Sequence, residues 1–443
     1  MFKISAMNSV DINEIKKAFL VFIDVESLNK KTKLENAFDE FESLVISSGL
    51  VIHGSKYLNQ TDPVINTFIT KGNLENLKIQ ITNSDVEIII INHELSASQT
   101  RNLEKFFNKR VIDKTELILD IFATRASSHI GKLQVELAQL KHLSTRLIRG
   151  WTHLERQKGG IGLRGPGETQ LETDRRLINN RIKRLNKRLE KSHKQREINR
   201  YSRKKSRNKL VALVGYTNAG KTTLFNKLTE SSQLAEDKLF ATLDSVTRKN
   251  KDPKHGPILF SDTVGFISDL PTQLVESFKA TLDELKTADL LLHIVDSNDV
   301  DYKLKIKEVN NILNDIGVMN IPQIIVNNKC DLIDHKKLEI LKFKKNKEVF
   351  ISAENDNEFQ DLRAKINNLL FNGMYQGWIS MENNMGNIRS SLFDMGCVKE
   401  EKVSECGKML AKIKIGNDEL DELLNLKGFE LYLDEDILSI STK

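Results

Sequence analysis

The chain has 443 residues, 29% of them charged, and a formal net charge of only +6, so its length allows about three folded domains plus an extended segment. No apolar run reaches the roughly 20 residues that span a bilayer, and the N-terminus lacks the apolar core of a signal peptide. The three cysteines have no metal-ligand spacing, which argues against a cysteine metal site and favours free thiols in a reducing cytoplasm.

Residues 1–115 predict a small α/β domain, because apolar runs typical of strands alternate with amphipathic helical patterns. The domain ends near the apolar run Leu117–Phe122. The predicted strands are Ala18–Ile23 and Val86–Asn92, and the predicted helices are Leu34–Ser47 and Ser98–Phe107.

Residues 116–205 predict an antiparallel two-helix coiled-coil arm, because leucine and isoleucine recur close to heptad spacing in two stretches. The match is not strict, since Ser144 stands where a perfect heptad would place a leucine. The first stretch contains Leu133, Leu137, Leu140, Leu143 and Leu147. The second stretch contains Leu171, Ile178, Ile182, Leu185 and Leu189.

A glycine-rich connector at 159–170 is expected to join the two helices, since it has five glycines between 159 and 167. One interpretation is a flexible linker. The other is a tip that contacts a polar partner such as RNA through Arg164, Glu168 and Gln170.

The second arm helix is strongly basic. Between 175 and 209 the chain has sixteen Arg and Lys residues against two Glu, a net charge of +14, although the whole chain carries only +6. Such a block is either a solvated face or a directed contact with a polyanion, and the adjacent connector favours an RNA partner. The candidate RNA contacts in this block are Arg181, Arg184 and Arg188. The nine histidines do not cluster in the sequence, and His129, His142 and His153 are expected to be surface or RNA contacts rather than metal ligands.

Residues 206–372 predict a P-loop nucleotide-binding domain. The sequence GYTNAGKT at 215–222 follows the apolar run Leu210–Val214 and precedes a helical pattern from Thr222. This spacing lets backbone N–H groups and the helix N-terminus face phosphates, while Lys221 reaches the β- and γ-phosphates and Thr222 ligates Mg²⁺. Taken alone, the motif is also compatible with a glycine-rich turn that binds nothing.

Two further segments predict the switch regions of a nucleotide hydrolase. The sequence DTVG at 262–265 follows the predicted strand Pro257–Ser261, so that Asp262 can hold Mg²⁺ and the Gly265 N–H can contact the γ-phosphate. The segment Phe240–Asp244 has the position of the first switch, where Thr242 is either a second hydroxyl ligand of Mg²⁺ or an ordinary loop threonine.

A guanine-reading motif comes next. The sequence NKCD at 328–331 follows the apolar run Gln323–Val326, and Asp331 can accept two N–H bonds from guanine, which adenine does not supply in that arrangement. Lys329 is expected along the base, and the backbone of Ser352-Ala353, after the run Glu348–Ile351, at the guanine carbonyl oxygen. The run Leu290–Val295 is interpreted as core with no chemistry at its end.

The sequence therefore predicts a GTP site with three catalytic residues, Lys221, Thr242 and Gly265, and three Mg²⁺ ligands, Thr222, Thr242 and Asp262. The predicted GTP-binding residues are Gly215, Tyr216, Thr217, Asn218, Ala219, Gly220, Lys221, Thr222, Thr223, Phe240, Ala241, Thr242, Leu243, Asp244, Asp262, Thr263, Val264, Gly265, Asn328, Lys329, Cys330, Asp331, Ser352 and Ala353.

Phe266 occupies the position where many GTPases carry a Gln that orients the attacking water. A phenyl ring cannot orient water. Unassisted hydrolysis is therefore expected to be slow.

Residues 373–443 predict a small C-terminal α+β domain. Its strand-like runs are Leu410–Ile415 and Phe429–Leu433, and its helix is Glu419–Leu426. Tyr375 and Trp378 are interpreted as core or hinge contacts.

The motifs resemble those of the HflX family of GTPases. The resemblance lies in GGIGLRGPGETQLE at 159–172, in GKLQVELAQL at 131–140 and in DTVGFI at 262–267, and it runs from about residue 20 to about 372. It implies a cytoplasmic, monomeric, Mg²⁺-dependent GTPase that binds the large ribosomal subunit and splits or rescues stalled ribosomes. It departs from the family near 70, where TKGN replaces a more Gly- and Lys-rich turn, and near 93, where HELS replaces an acidic residue.

Two alternatives remain open from the sequence. The first is a GTPase of ribosome assembly, and the second is a GTP-switched RNA-binding module in which hydrolysis only resets the switch. A third, an ATP-driven RNA-remodelling protein with a site in the N-terminal domain, has no sequence motif to support it.

Overall fold

The structure, a computed structural model, describes most of the chain. The described ranges are 16–28, 36–150, 166–205, 208–231, 239–240, 242–243, 245–250, 258–267, 284–344, 348–353, 359–371, 374–394, 396–404, 407–426 and 428–432. Side chains are not described at 147–150, 166–171, 193, 196–205, 344, 374, 394, 418, 419 and 422.

The N-terminal region is built on a four-stranded parallel sheet with the order β2-β1-β3-β4. Its strands are β1 (Lys17–Val25), β2 (Val51–Gln60), β3 (Ile88–Ile91) and β4 (Arg110–Asp113). Its helices are α1 (Ala37–Ser47), α2 (Lys71–Thr82), α3 (Ala97–Phe107) and α4 (Lys114–Arg125). The predicted α/β class is confirmed here, and the apolar run 117–122 proves to be the buried face of α4.

The central region is a six-stranded sheet with the order β10-β9-β8-β5-β7-β6, parallel except for β6, which is antiparallel to β7. Its strands are β5 (Lys209–Gly215), β6 (Val246–Lys249), β7 (Ile258–Asp262), β8 (Leu290–Asp296), β9 (Gln323–Asn328) and β10 (Val349–Phe350). Its helices are α7 (Lys221–Thr229), α8 (Tyr302–Ile316), α9 (His335–Lys344) and α10 (Phe359–Phe371). The near-continuous burial of β5 and β8 is what a parallel sheet covered on both faces requires. The predicted P-loop fold is therefore confirmed.

The C-terminal region is an antiparallel four-stranded sheet with the order β12-β13-β11-β14. Its strands are β11 (Met374–Met381), β12 (Val398–Val403), β13 (Met409–Gly416) and β14 (Phe429–Tyr432), and its helices are α11 (Gly386–Asp394) and α12 (Asn417–Leu424). Trp378 lies on β11, 4% exposed, with the ammonium groups of Lys402 and Lys412 over its ring.

Two long helices, α5 (His129–Gly150) and α6 (Pro166–Lys205), form the arm. They contact each other through a small leucine cluster of Leu133, Leu137, Leu185 and Leu189. Ile130, Leu140 and Ile182 pack against this cluster, while Leu143 is 46% exposed. The two helices thus pair over these residues, and the coiled-coil geometry of the arm stays a prediction. The connector prediction is corrected at its end, because the helix begins at Pro166, a residue whose fixed φ suits the first helical turn.

The N-terminal region packs directly on the central region. Rings of Phe122 on α4 and Phe240 meet edge to face with centroids 4.6 Å apart. The Tyr216 hydroxyl donates to Glu40 Oε2 at 2.8 Å, and the Leu239 N–H donates to Ser47 Oγ at 3.0 Å. One hydrophobic cluster contains residues of the N-terminal sheet, of α4 and α5, and of the central region. The domain boundary predicted near residue 115 therefore divides parts of the chain that share a core.

Within the described part of the chain, no helix has the length and apolarity needed to cross a bilayer. The expectation that His142 lies at the surface is wrong. Its side chain is 7% exposed, because α5 packs against α3 and α4 at that point.

Asp120 on α4 is a mostly buried carboxyl group without an ion-pair partner among the described contacts. Burial, and then the nearby Glu116, raise its pKa from 3.8 to about 6. The folded protein therefore binds more protons than the unfolded chain between pH 3.8 and 6, so this group lowers stability as the pH rises through that window.

We expect Asp120→Asn to stabilise the protein at pH 7.5 by at most about 3 kcal/mol, with a much smaller gain at pH 4.5. Urea unfolding of both proteins at the two pH values measures this difference. Asp315→Asn, at an exposed position on α8, is the matched control. An equal gain at both pH values would show that the carboxyl group is not raised in pKa.

Candidate nucleotide site

The phosphate-binding loop lies between the end of β5 and the start of α7. Gly220 has φ +87°, and a Cβ there would lie 2.2 Å from the Asn328 amide nitrogen, so no other residue fits. A Cβ at Gly215 would lie 2.3 Å from the Ile294 carbonyl oxygen. The two glycines thus let the loop close against the ends of β8 and β9.

Lys221 is buried inside this loop at the first residue of α7. Its Nζ donates to the Tyr216 carbonyl oxygen at 2.6 Å. Burial lowers its pKa to about 8, while the charge of Asp262 opposes that shift. The ammonium group is thus held inside the loop without its full hydration. A bound phosphate would supply negative charge that stabilises the charged form.

The three side chains predicted to hold Mg²⁺ meet beside the loop. The Thr222 and Thr242 hydroxyls are 2.8 Å apart, and they lie 2.9 and 3.1 Å from Asp262 Oδ2. Asp262 Oδ1 is buried and has no hydrogen-bond partner among the described residues. Burial raises the pKa of Asp262 against the opposing effects of Lys221 and the two hydroxyls. The orphaned carboxylate oxygen and the hard oxygen donors around it fit a small divalent cation.

The segment after Asp262 is fastened to the loop through its backbone. The Thr217 N–H donates to the Phe266 carbonyl at 2.7 Å, and the Phe266 N–H donates to the Gly215 carbonyl at 3.1 Å. A Cβ on Gly265 would come within 2.8 Å of the Thr217 side chain and 3.0 Å of Lys221 Nζ. The Phe266 ring is 2% exposed and belongs to the shared core, so this position contributes packing and no polar group.

The side-chain amide of Asn328 joins the guanine-reading motif to the phosphate loop. Its Nδ2 donates to the Ala219 carbonyl at 2.9 Å, and its Oδ1 accepts from the Ala353 N–H at 2.9 Å. Ser352 and Ala353 are buried behind it, while Asp331 is exposed in a short 3₁₀ turn. Asn328 therefore joins the phosphate loop to the loop that carries Ala353. Asp331 is accessible to a base.

Asp296 was not singled out by the sequence. It lies at the end of β8, where core with no chemistry was expected, and its Oδ2 is 2.8 Å from Lys329 Nζ. A carboxylate directly after an apolar parallel strand is the signal that could have revealed it. Lys329 itself has a left-handed backbone conformation, with φ +60°.

The first switch is described only in part. Phe240 and Leu243 are buried, Thr242 reaches the cation ligands, and Ala241 and Asp244 lie outside the described residues. Phe240 has φ +57°, and its ring is the one that meets Phe122 of the N-terminal region. Phe240 as a nucleotide contact stays a prediction, and its ring is in contact with the N-terminal region.

The remaining residues of the predicted GTP-binding set lie in or next to the phosphate loop, α7, β7 and the 3₁₀ turn after β9. Tyr216, Thr217, Asn218 and Ala219 line the loop beside α1 and α8, and Thr223 lies in the first turn of α7. The Thr263 hydroxyl donates to the Leu213 carbonyl at 2.6 Å, and Val264 and Cys330 are buried.

The predicted RNA contacts divide into four groups. Arg184 and Arg188 are exposed on α6, whereas Arg181 is paired with Glu136 of α5 at 2.6 Å. Arg164 lies outside the described residues. Glu168 and Gln170 lie in the first turns of α6, with side chains that are not described.

The chain matches three protein-family models in succession. They are described as GTP-binding GTPase N-terminal, over 35–123, GTP-binding GTPase Middle Region, over 125–203, and 50S ribosome-binding GTPase, over 210–329. Together they span strands β2 to β4 of the N-terminal sheet, the arm, and the strands that carry the phosphate-binding loop and the start of the guanine-reading motif.

Curated relatives cover most of the chain. GTPase HflX of Escherichia coli is 45% identical over 382 residues, which is 85% of this chain and 89% of the relative. GTPase HflX of Caldanaerobacter subterraneus is 46% identical over 76% of this chain and 78% of its own. A solved GTP-binding protein of Sulfolobus solfataricus in complex with GDP is 26% identical over 80% of this chain and 98% of its own, with a TM-score of 0.42. The chain thus belongs to the HflX family of GTPases and hydrolyses GTP.

Proposed function

We propose that this GTPase binds the large ribosomal subunit and uses GTP to split or rescue stalled ribosomes in the cytoplasm. The observation that carries the proposal is the exposed cationic face of α6. Lys183, Arg184, Lys187 and Arg188 are exposed, while Leu185 and Leu189 on the opposite side pack against α5. The family description that names the 50S ribosome supports the same partner.

The mechanism proposed for the site is in-line attack of water on the γ-phosphate. Lys221, already desolvated, would neutralise charge that develops on the phosphate oxygens. The Gly265 N–H would donate to the γ-phosphate, and its lack of a side chain leaves room beside Thr217. Thr222, Thr242 and Asp262 would hold Mg²⁺, which supplies further charge neutralisation on the phosphates when bound.

Phe266 leaves the attacking water without an orienting side chain. Because its ring is buried and both its backbone groups are bonded to the phosphate loop, the ring cannot swing out without breaking the core. We propose that the ribosome supplies the missing group in trans, which in other GTPases changes rates by roughly 10³ to 10⁵.

The ribosome-assembly alternative uses the same chemistry and the same basic face. A GTP-switched RNA-binding module differs in that hydrolysis would only reset binding. Neither alternative predicts that intact ribosomes separate in the presence of GTP.

Splitting is the outcome we expect when the protein and GTP are added to intact ribosomes and the mixture is resolved on a sucrose gradient. A slowly hydrolysed GTP analogue should also split ribosomes, because binding precedes hydrolysis, and GDP should not. Purified large subunits should raise GTP turnover at least about 10³-fold. Binding restricted to immature large particles, with intact ribosomes left whole, would favour the assembly alternative.

Guanine choice should depend on Asp331. We expect Asp331→Asn to lose most GTP affinity and to gain affinity for the xanthine nucleotide, since the amide complements the xanthine edge. Fluorescent nucleotide titration measures both affinities. Asp334→Asn, an exposed position three residues on, is the matched control. Full GTP affinity in Asp331→Asn with no gain for xanthine would remove Asp331 from the site.

The exposed face of α6 should bind RNA mainly through charge. The test variant replaces four exposed cations with Gln: Lys183, Arg184, Lys187 and Arg188. The control variant removes four exposed cations from α8 and α9: Lys303, Lys307, Lys336 and Lys337. Large-subunit affinity measured against salt should show a log–log slope that is shallower by up to about 3 in the test variant only, because each phosphate contact contributes about 0.7 to 0.9.

GTP affinity should be unchanged in both variants of that experiment, since the nucleotide site is built from β5, β7 and β9. Equal slopes in the two variants would mean that the cations of α6 are only a solvated face.

A further inference from the structure

A cluster of potential metal ligands lies where the arm joins the N-terminal sheet. Asp113 ends β4 and caps α4, Glu116 lies in the first turn of α4, and His142 faces them from α5. One ligand atom from each of the three residues lies within 4.8 Å of the others. Asp113 is 0% exposed and His142 is 7% exposed, so the cluster is shielded from bulk water.

His142 has no hydrogen-bond partner at either ring nitrogen in the described part of the chain. Buried polar groups without a hydrogen-bond partner are uncommon in folded proteins. An imidazole nitrogen that no protein group occupies is open to a bond with a ligand.

Arg146 already holds a positive charge beside the two carboxylates. Its Nη2 is 2.7 Å from Asp113 Oδ2 and its Nη1 is 2.5 Å from Glu116 Oε2. Its Nε, however, is buried without a hydrogen-bond partner among the described residues, and the guanidinium makes no hydrogen bond to His142. The carboxylates are therefore compensated, while the histidine and one guanidinium nitrogen are not.

We propose that Asp113, Glu116 and His142 form a binding site for a first-row transition-metal dication such as Zn²⁺, which competes with Arg146 for the two carboxylates. Two carboxylate oxygens and one imidazole nitrogen are ligands that Zn²⁺ accepts, with a fourth position for water. Mg²⁺ and Ca²⁺ prefer oxygen donors alone, so the imidazole selects against them.

Exchange of Arg146 for a metal would change how the arm is held. The ion pairs from Arg146 connect α5 to Asp113 at the end of β4 and to Glu116 in α4. Arg146 lies one turn before the end of α5 at Gly150. With a metal bound, His142 would make that tie instead, and the guanidinium would be released towards solvent. The released guanidinium of Arg146 would then add a positive charge to the surface of the arm whenever the metal is bound. The bond from His142 to the metal would keep α5 attached to the sheet.

The test is calorimetric titration of the full chain with Zn²⁺ in the presence of excess Mg²⁺ and GDP, which occupy the nucleotide site. His142→Asn and Glu116→Gln should each weaken Zn²⁺ binding at least about tenfold. His129→Asn, an exposed histidine of the same helix, should leave it unchanged. Arg146→Gln should tighten binding about tenfold or more, because it removes the competing charge.

The Arg146→Gln result separates a metal site from a structural ion pair. If the variant binds Zn²⁺ no better than the native chain, or if His142→Asn binds as well as the native chain, the proposal is wrong. Circular dichroism checks that each variant is folded. Should His142→Asn not fold, Glu116→Gln, whose side chain is 17% exposed, and Arg146→Gln decide the outcome with the same two criteria.

Discussion

The arrangement of the loops in the nucleotide site depends on two hydrogen bonds made by the side-chain amide of Asn328. Its nitrogen holds the phosphate loop through the Ala219 carbonyl, and its oxygen holds the loop after β10 through the Ala353 N–H. The contact is possible only because Gly220 has no Cβ. Three loops from the carboxyl edges of β5, β9 and β10 are thereby fixed relative to one another, so phosphate and base can be bound in one rigid frame.

The N-terminal region packs against the segment that is predicted to form the first switch. The Phe240 ring meets Phe122 of α4, and the Leu239 N–H, one residue before that segment, donates to Ser47 Oγ of α1. The Tyr216 hydroxyl of the phosphate loop donates to Glu40 of the same helix. Thr242, a predicted cation ligand, lies two residues from Phe240, so the hydroxyl that contacts Asp262 and the ring that packs on α4 belong to one short segment.

The sequence predicted the buried elements and the motifs better than the edges and the contacts between domains. Strands β5, β7, β8 and β9 are apolar runs in a parallel sheet, and the three motifs follow β5, β7 and β9 directly. Strand β2 was missed because it is an edge strand whose side chains alternate between exposed and partly buried, without an apolar run. Strand β12 was missed for the same reason, since its sequence VKEEKV is mostly polar.

Pairings between distant residues explain the rest of what the sequence did not predict. Glu40 and Tyr216 are 176 positions apart, and no local pattern connects them. His142 lies between Leu140 and Leu143 in a helix whose period marks only the face towards α6, so the second buried face of α5, against α3 and α4, was not apparent. That second face carries Val135 and Ala138, which join the core of the sheet, and further along it His142 and Arg146 lie beside Asp113. Because apolar and polar residues share this face, the pattern of hydrophobic residues in the sequence does not reveal that it is buried.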